Sequence, residues 1–252
     1  LSKIIKRPLQ RSRFFALGGK IVDATSTGVD SMVLLTQLQA LVAPVRLVVA
    51  HVNHHLRAQS DREAAFLRDY CARRGLLLRV ADWQDHPHQG IEAAARAFRY
   101  RFFAAVMKET GAKLLLTAHH ANDQAETVLM KLVRGGDLRQ LVGLRERRPF
   151  AGGELVRPLL AVPKAQLVAS ARDGGMTWFE DATNADQSIT RNRYRHRYLP
   201  ELAAENPQLV GDLGELAAQL GDLLAASDDL LAPLLRQLTT PTGLDLAGWW
   251  QQ

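Results

Sequence analysis

A single cysteine, Cys71, stands in this chain of 252 residues. That excludes an internal disulfide and any cysteine-rich metal or iron–sulfur site. No apolar run approaches the roughly 18 residues that cross a bilayer, and the opening LSKIIKRPLQRSRF lacks the apolar centre of a signal peptide. The chain therefore reads as soluble and cytoplasmic, with no membrane partner. It has no fixed-period repeat and no segment of low complexity. It also lacks an initiator Met and ends abruptly at Trp249-Trp250-Gln251-Gln252, where the tryptophan pair is better suited to packing than to recognition, so a piece of a longer product is expected.

What is present suffices for a full core: 47% of residues are apolar, consistent with one large domain and a smaller appendage. The formal net charge of +6 and a pI near 9.8 point to an acidic partner, of which nucleic acid is the commonest. Oligomeric state is open, and a homodimer is compatible with it.

Strands and helices alternate along the first half. Ile21 and Val22 begin a strand, Ser26, Thr27, Gly28 and Val29 form a tight turn of small residues, and residues 30–35 read as a helix capped by an acid. Residues 45–52 form a second strand, too continuously apolar to be half exposed. A helix over 60–74 follows, with Ser60 and Glu63 as a capping box, then a third strand over 76–81. After a polar loop, a long helix covers 91–110, Gly111 caps it, a fourth strand covers 112–118, and a helix covers 123–133. This spacing predicts a parallel sheet with right-handed crossovers and helices on both faces. From Gly143 the alternation falters: residues 145–148 and Gly152-Gly153 read as solvated linker, and a helix near 164–173 follows. Residues 199–238, rich in Leu and Ala at helical spacing, read as a small helical subdomain with Pro200, Pro207 and Pro233 marking helix starts or breaks.

In such a sheet ligands lie beyond the carboxyl ends of the strands, and three of those positions are rich in functional side chains. After the first strand, the turn from Ser26 to Ser31 offers backbone N–H groups and a helix dipole to an anion, although a plain strand-to-helix turn has the same composition. Its order, S-T-G-V-D-S, is not the Walker pattern, which ends in Gly-Lys-Ser/Thr. Asp23, just before it, puts a carboxylate inside a strand that should be buried. After the second strand comes HVNHHLR, with Asn53, and after the fourth comes TAHHANDQAET, where Asp123, Glu126 and Thr127 share a helix face. Magnesium on nucleotide phosphates needs one or two protein carboxylates, and Asp30 is the first candidate. His119 and His120 are adjacent and do not match a zinc spacing; as an alternative to chemistry they cap the following helix. The segment RNRYRHR carries four arginines and a tyrosine in seven residues with no acid between them, which favours RNA contact over a solvated charge run. Arg145, Arg147 and Arg148 are weaker candidates because Glu146 interrupts them.

The turn resembles the PP-loop of the N-type ATP pyrophosphatases, whose usual string is S-G-G-x-D-S. Thr27 thus stands where a glycine is expected, and a β-branched residue in left-handed geometry costs roughly 1–2 kcal/mol. Further strings resemble the tRNA(Ile)-lysidine synthetase family in order and spacing: HVNHHLR with Ser60-Asp61, EAAAR with Arg99-Tyr100, TAHHANDQAET, RPLL from Arg157, WFED through Thr183-Asn184 and Asp186, and RNRYR from Arg191. The likeness spans about residues 20–207, and TAHH…DQAET is its most specific part. It implies an adenine nucleotide α-hydrolase-like fold, with a PP-loop ATP-binding core over 1–143, a linker, an edge strand and helix and a basic tRNA-contact segment over 144–198, and a helical subdomain, expected to be truncated, over 199–252. It also implies a two-step ligase reaction on the wobble cytidine of a CAU-anticodon isoleucine tRNA. ATP adenylates the cytosine O2 with loss of pyrophosphate, and the ε-amine of free L-lysine then displaces AMP.

Carried onto these positions, the resemblance gives Ser26, Thr27, Gly28, Val29, Asp30, Ser31, Asn53 and Arg96 as ATP-binding, with Mg²⁺ on Asp30. Asp30, Arg96, His119, Asp123 and Glu126 are the catalytic set. Asp123 and Glu126 would grip lysine, and His119 is the nearer base. Arg191, Arg193, Tyr194 and Arg195 would meet the tRNA. Asn122 replaces an acid common in the family, removing a charge from the rim. Arg99 reads as a solvated helix position. Two other readings remain: a catalytically weakened tRNA-binding homologue, and a PP-loop ligase acting on a small substrate.

Overall fold

The computed structural model describes residues 1–55, 59–84, 86–87, 89–180, 186–240 and 243–244. Arg57, Asp181, Thr183, Asn184 and Trp249-Trp250, singled out above, lie outside the described residues.

Two short N-terminal helices, α1 (Ser2–Gln10) and α2 (Arg13–Ala16), precede strand β1 (Ile21–Ala24) and helix α3 (Val29–Gln39). Strand β2 (Leu47–Asn53), helix α4 (Ser60–Arg73), strand β3 (Leu77–Asp82), helix α5 (Ile91–Thr110), strand β4 (Leu114–Thr117) and helix α6 (Ala121–Val133) continue the alternation. A one-turn helix α7 (Leu138–Leu141) leads to strands β5 (Arg147–Phe150) and β6 (Gly153–Val156), then to helix α8 (Lys164–Asp173). The sheet runs β3-β2-β1-β4-β6-β5, parallel except for β5.

Alternation along the central strands sends side chains to two cores, as the period of two in a strand requires. Ile21, Leu47, Val49, Leu114, Leu116 and Val156 pack against α3, α4 and α8 on one face. Val22, Val48, Ala50, Leu115 and Leu155 pack against Phe103, Val106 and Met107 of α5 on the other.

Residues 147–156, part of the segment expected to hold both linker and edge strand, are the edge of the sheet, so that 147–148 and Gly153, read as solvated linker, belong to paired strands. Ala151 and Gly152 form a two-residue hairpin turn with φ 48° and 71°, joining β5 to β6. A Cβ on Gly153 would lie 2.2 Å from the Lys113 carbonyl oxygen, so this glycine is set by close backbone approach and not by a flexible link. The arginines of this stretch are held too: Arg147 meets both oxygens of Glu154 at 2.8 Å.

The C-terminal segment is helical, as expected, through α9 (Thr190–Arg193), a π turn over Tyr194–Tyr198, α10 (Leu199–Glu205) and α11 (Leu209–Leu238). Pro200 lies in the first turn of α10, but Pro233 sits inside α11 without ending it. Leu213 and Ala217 of α11 pack with Ala125, Val128 and Leu129 of α6, which ties this segment to the helix after β4.

The capping box expected from Ser60 and Glu63 does not form. Gln59 is the N-cap of α4 and makes no side-chain cap, while Glu63 is buried and turned toward Thr27.

Candidate active site

Strand order reverses between β1 and β4, which have neighbours on opposite sides, and in sheets of this kind ligands bind at the carboxyl ends of the strands at such a switch point. The turn after β1 forms one wall. Ser31 Oγ accepts from the Ser26 backbone N–H at 3.1 Å and donates to the Gly28 carbonyl at 3.0 Å, closing residues 26–31 into a compact loop on the first turn of α3. The N–H groups of a helix's first turn have no intrahelical acceptor, so the head of α3 is suited to anionic oxygens. Gly28 has φ −67°, which any residue adopts, and a Cβ there would meet only Ser26 Oγ at 3.6 Å. Its missing side chain therefore serves access to the backbone rather than the turn itself. The left-handed position is Thr27, at φ 67°. The loop keeps the geometry expected of glycine there, despite the β-branched side chain.

The loop after β4 forms the facing wall. His120 precedes α6, and its backbone N–H donates to Asp123 Oδ2 at 3.0 Å. The imidazole Nε2 lies 3.6 Å from Asp30 Oδ2 and 3.5 Å from Asp123 Oδ2. One buried histidine thus brings the loop carboxylate and the helix carboxylate to the same point. Asp30 is further held by Lys164 at the start of α8, whose Nζ meets both oxygens at 2.7 and 2.6 Å. Lys164 was not anticipated from sequence, since an isolated lysine after Pro163 has no local signature. Asn122 accepts from the Lys164 backbone N–H at 2.9 Å, so the residue standing for a family acid fixes the helix that delivers this lysine.

Asp123 and Glu126 do share a face, and the arginines expected to meet RNA are bound to them. Glu126, with a fully buried side chain, accepts from Arg191 Nε at 2.8 Å and from Arg195 Nε at 2.7 Å. Asp123 Oδ1 meets both guanidinium groups, at 3.1 and 2.9 Å. The π turn at Tyr194–Tyr198 lies within this helical run, at the position from which Arg195 reaches α6. Burial opposes the charge of Arg195, but the hydrogen bond and charge of Glu126, with Asp123 and Asp30, raise its pKa above the ordinary value. Burial likewise opposes the charge of Asp123, yet His120, Arg191 and the His120 N–H hold its carboxyl below the usual range.

Several expectations change here. Tyr194 is buried against Leu199, Leu213 and the α6 core, edge-on to Tyr198, so it cannot stack on a base. Arg193 caps the carbonyls of Gln187 and Ser188 at 2.9 Å. Burial foremost, with Arg157, Arg191 and Arg96 nearby, pushes the pKa of His119 down to about 3, and Nδ1 pairs with Thr117 Oγ1 at 2.9 Å, which argues against the role of base expected of it. A proton acceptor works best with a pKa near the working pH. Asn53 closes the connection between β2 and α4 through Asp61 at 2.9 Å and the His55 N–H at 3.2 Å, and among the described residues its side chain makes no hydrogen bond to the loop. Arg96 is exposed over the Tyr100 ring, 4.9 Å from its centroid, on the side facing His119. Arg99, read as solvated, is instead drawn inward, and desolvation lowers its pKa. Gln124 is structural, bonding the Val142 carbonyl and the Leu144 N–H around the Gly143 turn.

Among the described residues no group of three or more His, Cys, Asp or Glu is arranged as a protein-only metal site. Magnesium carried on nucleotide phosphates needs only one or two carboxylates, which Asp30 and Asp123 fit by chemistry and position. No described helix is long and apolar enough to cross a membrane.

A family model described as PP-loop domain matches residues 3–202. The tRNA(Ile)-lysidine synthase of Lactiplantibacillus plantarum is 51% identical over 248 residues, covering 97% of this chain and 55% of that protein. The tRNA(Ile)-lysidine synthase of Enterococcus faecalis is 50% identical over 193 residues, 75% of this chain and 42% of that protein. The chain thus spans about half the length of the curated relatives it matches. Among solved structures, the U34-tRNA thiolase NcsA of Methanococcus maripaludis shares the fold, with a TM-score of 0.69 at 14% identity over 87% of this chain and 76% of that one.

Proposed function

Since the chain belongs to the PP-loop domain family, we propose that it uses ATP to convert the wobble cytidine of a CAU-anticodon isoleucine tRNA to lysidine. The observation that carries this reading is the meeting of Asp30 and Asp123 at His120 Nε2, where the phosphate-type loop and the α6 carboxylates face one crevice. The relatives named tRNA(Ile)-lysidine synthase supply the substrate class.

In the first step the cytosine O2 attacks the α-phosphate and pyrophosphate leaves. The loop amides from Ser26 to Ser31 and the head of α3 take the outer phosphates, where fixed N–H dipoles stabilise charge without reorganising. Mg²⁺, held by Asp30 with Asp123 adjacent, would neutralise phosphate charge. Lys164 sits on Asp30 and is positioned to follow the phosphates, and exposed Arg96 faces the same crevice. In the second step the lysine ε-amine attacks C2, AMP departs and the amine gives up its proton. Asp123, less buried than Glu126 and sharing Arg191 and Arg195 with it, would orient the ammonium. Glu126, enclosed by Arg191 and Arg195, acts by holding those guanidinium groups in place. His119, neutral at pH 7, serves as a hydrogen-bonding wall. Residues from Leu199 onward act as an appended helical unit anchored on α6.

The test is pyrophosphate release. It should require both L-lysine and the CAU-anticodon tRNA, and fall to background when either is omitted. Release without lysine, or unchanged turnover without tRNA, would assign the chain to another reaction on the same loop.

A further inference from the structure

We propose that Glu63 is a positioning residue for the phosphate loop, acting through the hydroxyl of Thr27; this rests on the nucleotide-binding reading above. Thr27 is the one loop residue whose backbone lies in the left-handed region, at φ 67°, a conformation that a β-branched side chain resists. Its side chain is completely buried behind the loop. There Oγ1 donates to Glu63 Oε2 at 3.1 Å and also lies against the Ser26 carbonyl oxygen. Glu63 is itself buried, so this acceptor is a charged-type group in a low-dielectric setting, where a hydrogen bond counts for more.

A second contact, from the stretch after α8, supports the same residue. The Thr27 carbonyl accepts from the Phe179 N–H at 3.1 Å, and the Phe179 ring packs edge-on against Phe66, one turn along α4 from Glu63, at 5.3 Å. Thr27 is therefore held at two places, directly by Glu63 of α4 and by Phe179, whose ring rests on Phe66 of the same helix. Glycine at position 27 would take the same φ without strain but would offer nothing to Glu63. Threonine costs strain and supplies an anchor, so residues 27 and 63 act as a pair. The pair fixes the peptide planes leading into Gly28 and the first turn of α3 before a ligand arrives, and preorganisation of that kind appears as affinity.

The experiment is a double-mutant cycle read by calorimetric titration of a non-hydrolysable ATP analogue with Mg²⁺ onto the whole chain, needing neither tRNA nor lysine. Glu63→Ala should weaken binding about tenfold with Thr27 present, the scale of a lost hydrogen bond to a charged group. In the Thr27→Gly background the same change should cost less than about threefold. Thr27→Val, which keeps the shape and loses the hydroxyl, should bind like Glu63→Ala, and Thr27→Ser should stay near wild type. Equal losses in both backgrounds, or wild-type affinity in Thr27→Val, overturn the inference. Should Glu63→Ala fail to fold, the Val and Ser variants decide alone. A wild-type chain that binds no nucleotide removes the loop assignment itself, and this inference with it.

Discussion

Replacing Asp23 by Asn should make the protein more stable, and increasingly so as pH rises. Asp23 lies in β1 between Val49 and Leu116, with no exposed surface. Its Oδ2 accepts from Thr25 Oγ1 at 2.9 Å, while Oδ1 is buried without a partner among the described residues. Desolvation dominates and raises the carboxyl from 3.8 to about 7. The native state therefore binds more protons than the unfolded chain between those values, and stability falls as pH rises from about 4 to about 7. A shift of roughly three units corresponds to a penalty of about 4 kcal/mol once both states are ionised, and about 1.5 kcal/mol at pH 5. Asn keeps the acceptor for Thr25 and does not titrate. Urea unfolding of both proteins at pH 5 and pH 8.5 should give a stability difference that grows by about 3 kcal/mol in favour of the variant. Parallel curves would mean that Asp23 is ionised or solvated in the fold, and the buried-acid account of β1 would fail.

Gly28→Ala should leave the melting temperature within about 2 °C, because its Cβ has room, yet weaken ATP-analogue binding at least about tenfold by covering the loop backbone. Gly153→Ala should destabilise by about 3 kcal/mol or more in urea unfolding, since its Cβ would meet the Lys113 backbone. Arg195→Ala leaves the fully buried Glu126 with Arg191 alone and should cost about 3 kcal/mol by the same assay. Arg195→Lys should recover only part of that, having no fork to match both carboxylate oxygens.

The strands, the helices on both faces and the loop after β1 were legible because each is a local pattern: apolar runs of strand length, 3.6-residue periodicity, and small residues at a strand-to-helix junction. An edge strand was expected in 144–198, but not its place, because Arg147, Arg148 and two glycines look solvated until pairing with β6 and Glu154 shows what holds them. Tyr194 and Arg99 misled for a related reason. An aromatic among arginines suits RNA, and an arginine on a charged helix suits solvent, but burial depends on what packs there: α11 covers Tyr194, and Arg99 is desolvated on its helix.

Residue order alone determined the alternation of strands and helices, the anion-binding turn and the placing of Asp123 and Glu126 on one helical face, because these depend on neighbours a few positions apart. Only the tertiary structure decided which distant charges meet: Lys164 on Asp30, Arg191 and Arg195 on Glu126, and Glu63 behind Thr27. It also decided that burial raises the pKa of Asp23 and lowers that of His119. Those outcomes depend on desolvation and on partners up to 134 residues away, and neither quantity is encoded in a local run of sequence.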